Sequence, residues 1–468
     1  VTAVLDRLSE VVEVLDVLGE IESLAVTGVT HDSRAVQPGS LFCCVRGARV
    51  DGHDLAGAAV QAGAAALVVE RRLALDVPQL VVPDTRAAMG PLAARFWGDP
   101  SRQLDVFGVT GTNGKTTTVH LLGAILTAAG RPATVIGTLT GARTTPEATE
   151  LQASLAQARA GGGSAVAMEV SSHGLAMHRV DGTWFRVGVF TNLSPDHLDF
   201  HADLEDYFAA KSRLFAPERC QQAVINADDP YGRRLLATVS VPAAPYSLDD
   251  ADDVRIGALA STCRWRGVDL TVPLGGRFNL PNALAAATAA TTGGVPLEAV
   301  VTGLAAAPPV PGRFEPVTAG QPYTVLVDYA HTPDGLRQLL TAAREVAGEG
   351  RVLVVFGCGG DRDTTKRGPM GAIATAGADL AVVTNDNPRS EDPAAIVAAV
   401  LDGIEDRSRA LVEPDRRAAI ALALGRAAPG DVVVIAGKGH ETTQTTGEHV
   451  TPFDDRVVAR ELLEDARW

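Results

Sequence analysis

Three groups of residues in this chain have types and spacings that can do chemistry. The first is Gly108-Val109-Thr110-Gly111-Thr112-Asn113-Gly114-Lys115-Thr116-Thr117-Thr118, preceded by an apolar run at 104–109 and followed by a helix-like stretch at 119–129. Strand, glycine loop, lysine, hydroxyl and helix are the layout of a phosphate cradle. Glycines let backbone N–H groups approach phosphate oxygens, the helix N-terminus and Lys115 supply positive charge, and the Thr116 hydroxyl can ligate Mg²⁺. The loop departs from the standard pattern, which wants glycine five places before Gly114. Val109 stands there, and the glycines fall at Gly108 and Gly111 instead.

The second group follows further apolar runs. In Met168-Glu169-Val170-Ser171-Ser172-His173-Gly174, the Glu169 carboxylate can reach a metal on nucleotide phosphates, although a merely solvated strand-end glutamate fits the same pattern. Thr191-Asn192-Leu193-Ser194-Pro195-Asp196-His197-Leu198-Asp199 sets His197 between two aspartates, as a hard-metal ligand, a base, or a loop histidine with neither role. Read as a helix, Leu204, Phe208, Lys211 and Phe215 fall on one stripe. Desolvation of Lys211 there favours the neutral amine, which can act as a nucleophile or take up CO₂ as a carbamate, an anionic metal ligand. A lysine snorkelling from the helix edge fits the same spacing.

The third group lies near the C-terminus. Arg362 and Arg389 offer bidentate forks for a carboxylate, and Glu441 offers a partner for an ammonium group. Together they describe a site for an amino acid with more than one charged end. Singly, each fits equally a surface ion pair of little energetic weight.

These groups need elements to hold them. At about 150 residues per domain, 468 residues suggest roughly three domains. Residues 1–100 read as a small α/β unit with strands at 40–45 and 66–69 and a helix at 55–63 closed by its glycine. Residues 101–310 hold the glycine loop and strands at 165–168 and 187–190 with helical stretches between, which predicts a mostly parallel sheet covered on both faces. Residues 97–100 and the proline-rich 306–312 read as joints. In residues 311–468, four apolar runs at 324–327, 352–356, 380–383 and 432–435 each lead directly into a polar motif. In open α/β sheets ligands bind beyond the carboxyl ends of the strands, so these motifs predict a site along one edge.

Composition narrows the field. A net charge of −15 argues against a nucleic-acid or anionic-membrane binder. Five scattered cysteines without zinc-site spacing suit a reducing cytoplasm better than a disulfide scaffold. The acidic residues Asp6, Glu10, Glu13 and Asp16 make the N-terminal stretch neither a signal peptide nor a membrane span.

With these motifs in view, the chain resembles the Mur ligase family of ATP-dependent amino-acid-adding enzymes of peptidoglycan synthesis, over nearly its whole length. Gly108 to Thr117 looks like the family's own phosphate loop, which accounts for the misfit to the standard pattern. The stretches from Glu169, Thr191 and Asp328 (Asp-Tyr-Ala-His-Thr-Pro-Asp) look like its other blocks. Asp386-Asn387-Pro388-Arg389 is similar to the motif of members that add meso-diaminopimelate to UDP-N-acetylmuramoyl-L-alanyl-D-glutamate; lysine-adding members lack that arginine. The resemblance implies a UDP-sugar domain, a central P-loop ATPase and a Rossmann-like C-terminal domain that binds the amino acid. It implies ATP contacts from Gly111, Thr112, Asn113, Gly114, Lys115, Thr116 and Thr117, with Asn282, Arg313 and Asp328. It implies one Mg²⁺ near Thr116 and Glu169, and a second near His197 and a carbamylated Lys211. It puts the UDP-sugar peptide near Ser33, Thr144, Thr145, Ser171 and Arg179, and diaminopimelate near Arg362, Asp386, Asn387, Pro388, Arg389, Gly437 and Glu441. A cytoplasmic monomer without nucleic-acid partner or membrane insertion is expected. Two departures stand out: Met177 replaces a substrate-contacting glutamine, and 136–145 is short before Thr-Thr-Pro-Glu. A folylpolyglutamate synthetase, a P-loop kinase or motor, and a nucleotide-gated binding protein are the alternatives.

Overall fold

A computed structural model describes residues 1–47 and 50–466. Three larger sheets, of five, six and six strands, follow one another along the chain. The first has five strands in the order Asp16–Leu18, Gln79–Val81, Ala66–Val69, Ser40–Cys43 and Gly28–Thr30, parallel except for the outermost Asp16–Leu18. The helix expected at 55–63 is shorter, Ala56–Gln61, because a 3₁₀ turn at Gly52–Leu55 takes up its start.

The second sheet has six strands, all parallel, in the order Ala243–Tyr246, Cys220–Asn226, Phe185–Phe190, Asp105–Thr110, Ala165–Glu169 and Ala133–Ile136. Side chains alternate across it, as strand geometry requires. Phe107 and Val109 pack under the helices Lys115–Ala128 and Asn279–Thr292, while Val106, Val166 and Met168 pack on the opposite face with Tyr207 and Phe208. The alternating strand-and-helix pattern did not anticipate a three-stranded antiparallel sheet, Ala251–Ile256, Ser261–Trp265 and Val268–Val272. Its signal was present: Arg266 and Gly267 both have positive φ (49° and 80°), the two-residue hairpin turn that suits strand twist, between alternating apolar and polar residues.

The third sheet runs Glu315–Pro316, Thr324–Asp328, Val432–Ala436, Val352–Phe356, Leu380–Val383 and Ala410–Val412, parallel except for Glu315–Pro316. The four apolar runs singled out in the sequence are therefore the four adjacent inner strands, and their polar motifs share one edge. Apolar side chains fill both faces, covered by Pro333–Ala347 and Arg367–Gly377 on one side and by Arg416–Leu424 and Asp455–Asp465 on the other. A hairpin, Thr443–Thr446 with His449–Pro452, stands beside that edge.

Candidate active site

The phosphate loop leaves the strand Asp105–Thr110 through Gly111 (φ 151°) and enters its helix through Gly114 (φ 85°), conformations that L side chains rarely adopt. A Cβ on Gly114 would run into the Asn282 side chain. The helix begins at Lys115, four residues before the expected 119, because the glycine cap lets the threonines Thr116 to Thr118 form its first turn. The loop is pinned from behind: Thr112 N–H donates to the Asn192 carbonyl and Asn113 N–H to Asn192 Oδ1, both at 2.9 Å.

Beyond the loop lies a cavity of about 210 Å³. It is lined by Thr112, Asn113, Gly114, Lys115, Thr116, Thr117, Thr144, Glu169, Ser171, His197, Lys211, Asn282, Arg313 and Asp328, with Tyr207, Asp196, Tyr329 and His331. Residues as far apart in sequence as Thr112 and His331 are thus brought together. Thr116 Oγ1 is their junction: it donates to Glu169 Oε2 at 3.0 Å and accepts from Arg313 Nη2 at 3.0 Å. Glu169 also accepts from Thr138 N–H at 2.8 Å, a contact the sequence reading did not name. Arg313 lies over the Tyr329 ring at 4.5 Å. Asp328 is clamped by Phe314 N–H at 2.7 Å and Ala330 N–H at 2.8 Å, and burial raises its pKa.

Lys211 resolves in favour of burial rather than snorkelling. It sits near the end of the helix Leu204–Ser212 with 1% of its surface exposed. Its Nζ donates to the Gly111 carbonyl at 2.8 Å and lies 4.5 Å from the Tyr207 ring centroid. Burial, and then the nearby Lys115 charge, drive its pKa well below the usual ammonium range, against the opposing pull of Asp196. Lys115 is lowered too, by burial, and its Nζ caps the carbonyls of Gly111 at 2.8 Å and Thr112 at 2.9 Å. His197 (φ 56°) is held against Asp196, Nε2 to Oδ2 3.4 Å, and burial brings its pKa down to about 4 despite the Asp196 charge. It therefore presents a neutral ring at physiological pH.

These donors fit Mg²⁺ in kind. A threonine hydroxyl and a carboxylate are hard oxygen ligands, and Mg²⁺ usually takes one or two protein oxygens with phosphates and water completing its shell. Among the described residues no group of three or more His, Cys, Asp and Glu side chains forms a metal cage by itself. A neutral buried amine at Lys211 is the form that can take up CO₂.

The other expected residues divide. Thr145 Oγ1 lies 3.1 Å from Ser171 Oγ, and Arg179 bonds the Thr145 carbonyl at 3.2 Å and Glu147 at 2.9 Å, so Thr145 and Arg179 stand behind Ser171, which lines the cavity. Met177 Sδ meets the Arg179 guanidinium at 3.7 Å. Ser33 lies apart, in a turn of the first unit. Its neighbour His31 reaches Thr149 Oγ1 at 2.9 Å, tying that unit to the helix Ala148–Ala160. At the third sheet's edge, Asn387 Nδ2 donates to Glu441 Oε2 at 2.8 Å and to Asp386 Oδ1 at 3.0 Å, and Gly437 (φ 112°) faces Asp386 so closely that a Cβ there would press on the carboxylate. Burial raises the Asp386 pKa. Arg389 follows Pro388 with φ 52° and donates to the Gly360 carbonyl at 2.6 Å. Arg362 is the outlier: exposed, it bonds among the described residues only the Asp361 carbonyl, at 3.2 Å.

Family models match along the chain: the Mur ligase family catalytic domain at 25–97, the Mur ligase middle domain at 109–290, and the Mur ligase glutamate ligase domain at 312–439. A Streptomyces coelicolor protein named UDP-N-acetylmuramoyl-L-alanyl-D-glutamate–2,6-diaminopimelate ligase is 47% identical, covering 97% of this chain and 96% of its own. The chain belongs to the Mur ligase family. A Streptomyces avermitilis protein of the same name is 48% identical over 94% of this chain and 93% of its own. A solved structure of a ligase of that name superposes with TM-score 0.71 at 33% identity, covering 99% of both chains. Membership places the loop's unusual glycine spacing within a ligase family rather than among kinases or motors. No described helix is long and apolar enough to cross a membrane, and all five cysteines are free and buried.

Proposed function

We propose that this Mur ligase joins meso-diaminopimelate to the D-glutamyl carboxylate of UDP-N-acetylmuramoyl-L-alanyl-D-glutamate, with ATP converted to ADP and phosphate, in peptidoglycan synthesis. The observation that carries the reading is the Thr116 junction. One hydroxyl of the phosphate loop bonds a carboxylate of its own sheet and a guanidinium from the segment leading into the third sheet, whose edge carries Asp386 to Arg389. In this reading 1–100 hold the UDP-sugar, with Ser33, Thr144, Thr145, Ser171 and Arg179 along the substrate's path; 101–310 hold ATP; and 311–468 hold the amino acid.

The γ-phosphoryl group passes from ATP to the glutamyl carboxylate, giving an acyl phosphate and ADP. The amine of diaminopimelate then attacks the acyl carbon; the C–O bond to phosphate breaks, phosphate leaves and the nitrogen loses a proton. No covalent enzyme intermediate is required. Lys115 and the helix N-terminus offset charge on the transferring group, and Arg313 and Asp328 orient the nucleotide. Thr116 with Glu169, and His197 with Lys211 as a carbamate, are the groups that would hold two Mg²⁺ ions, whose chemistry is further charge neutralisation at the phosphates. Substrates bound by different sheets must meet, so closure around the cavity positions them. Arg389 selects the amino acid, since lysine lacks the distal carboxylate that pairs with it. We further propose that the enzyme is cytoplasmic and monomeric; gel filtration with light scattering checks the oligomeric state.

Phosphate release from ATP with the UDP-muramoyl dipeptide, comparing meso-diaminopimelate with L-lysine, tests the proposal. Release that depends on diaminopimelate supports it. Equal release with both amino acids, or release with neither added, overturns it.

A further inference from the structure

Lys438 follows Gly437 in the loop after the strand Val432–Ala436, and none of its surface is exposed. Its Nζ donates to Thr443 O at 2.7 Å, Glu441 Oε2 at 3.1 Å and Asn387 Oδ1 at 3.3 Å. An ammonium group has three donors, and all three are used. Asn387 closes the ring: its Nδ2 reaches the same Glu441 oxygen, and its Oδ1 also accepts from Thr445 N–H at 2.9 Å. Glu441 Oε2 is thus held by two donors, and no described residue bonds Oε1, on a side chain 30% exposed. One carboxylate oxygen is fixed inside the protein and the other is offered outward.

Further buried polar groups surround this ring. Arg416 and Asp455, both fully buried, pair bidentately through Nε–Oδ1 at 2.8 Å and Nη2–Oδ2 at 2.7 Å. Lys438 pairs with Glu441. Asp386 is 7% exposed, and its side chain accepts from Asn387, which is neutral. Arg416 is thus taken up by Asp455 and Lys438 by one oxygen of Glu441, and the outward oxygen of Glu441 is the place where an incoming ammonium group finds an acceptor.

We propose that Lys438 is a positioning residue for the amino-acid substrate: its buried ammonium locks Asn387 and Glu441 into one unit that presents Glu441 to the substrate's ammonium group. The inference rests on the function proposed above and deepens it. Lys438 does not line the nucleotide cavity, so its removal degrades amino-acid recognition and leaves nucleotide binding alone.

The test is steady-state phosphate release by the full chain carrying Lys438→Met or Lys438→Arg, with each substrate varied in turn. Loss of a charge-assisted hydrogen-bond set raises KM for meso-diaminopimelate by about tenfold or more in Lys438→Met, with KM for ATP within about twofold of wild type. Arginine keeps the charge but not the compact three-acceptor geometry, so Lys438→Arg recovers part of the loss and leaves a rise of about threefold. In the Lys438→Met background, Glu441→Gln adds less than it does alone, because the two act as a unit. An unchanged KM for diaminopimelate in either variant, or a KM for ATP that rises in parallel, overturns the proposal. Should Lys438→Met fail to fold, Lys438→Arg alone decides between these outcomes. A wild-type enzyme indifferent to diaminopimelate overturns both readings; a responsive wild type with unmoved variants overturns this one alone.

Discussion

The phosphate loop and the proposed amino-acid edge solve the same problem with different materials. Both lie beyond the carboxyl ends of parallel strands. The loop is seven consecutive residues, Gly111 to Thr117, held by backbone hydrogen bonds to Asn192 and by a helix start. The amino-acid edge is assembled from the ends of three strands, with Gly360, Asn387 and Lys438 meeting across it, and is held by buried ions: Lys438 on Glu441, Arg416 on Asp455. A backbone cradle depends on glycines and is indifferent to most neighbouring side chains. An ionic scaffold depends on each partner being present, because a buried charge left alone is costly. Substitutions should therefore separate the two regions by what they damage.

The largest effect is expected in the loop. Lys115→Ala should lower phosphate release on the order of 10⁴-fold, since the lysine charge acts on the transferring phosphoryl group in a site shielded from water. Thermal unfolding should barely move, because among the described residues Lys115 Nζ bonds only two loop carbonyls. A large loss of fold stability in this variant would erase the contrast between the regions. Next in size, Arg389→Ala should lower turnover of diaminopimelate about 10³-fold and narrow its advantage over lysine, with ATP binding intact. Isothermal titration with ATP and competition between the two amino acids check both halves.

The ionic scaffold should reveal itself in stability. Asp455→Ala leaves Arg416 buried without its partner, at a cost of about 3–5 kcal/mol. Urea unfolding measures it. Replacing both residues, Arg416→Met with Asp455→Leu, should restore most of the loss, because two well-packed apolar groups leave no charge unpaired. Arg416 also donates to the carbonyls of Ala436 at 2.9 Å and Asn385 at 3.3 Å, so the double variant should keep its fold while weakening binding of the amino acid.

The same contrast explains what could be read from the sequence. Gly111 to Thr117 announced itself because its residues are contiguous and each type has one physical use. The four strand-to-motif transitions of the third segment were legible for the same reason, and the sheet order set them side by side. The scaffold was not legible. Lys438 sat inside a noticed motif, but its partners Asn387 and Thr443 arrive from 51 positions earlier and 5 later. Arg416 and Asp455 lie on two helices with no motif at all. Thr138 reaches Glu169 through both its backbone N–H and its hydroxyl, from a different strand end 31 positions earlier that carried no recognised motif. Lys211 stood between burial and snorkelling until its contacts decided it: the Gly111 carbonyl across the loop and the Tyr207 ring one turn earlier on its own helix.

The smallest expected effect tests the seam between the regions. His440 follows the Lys438 loop, and its ring lies 4.9 Å from the Tyr329 ring that Arg313 covers. Its Nδ1 is buried without a hydrogen-bond partner. Burial first, then the charges of Arg313 and Arg456, bring its pKa from 6.5 down to about 4. The folded state thus favours the neutral ring, while the unfolded chain binds a proton near the ordinary value. Between these values the unfolded state holds more protons, so stability falls as pH drops through that window and is unaffected above it. Protonation would also set a cation beside Arg313, whose fork holds Thr116 Oγ1. His440→Gln should flatten the pH slope of urea unfolding between about pH 7 and about pH 5 by about 1 kcal/mol, allowing for solvent screening of a half-buried ring. It should also reduce the loss of ATP affinity over the same range. An unaltered slope with unaltered ATP affinity would mean that the two regions titrate independently, and that the ionic edge does not communicate with the loop through Arg313.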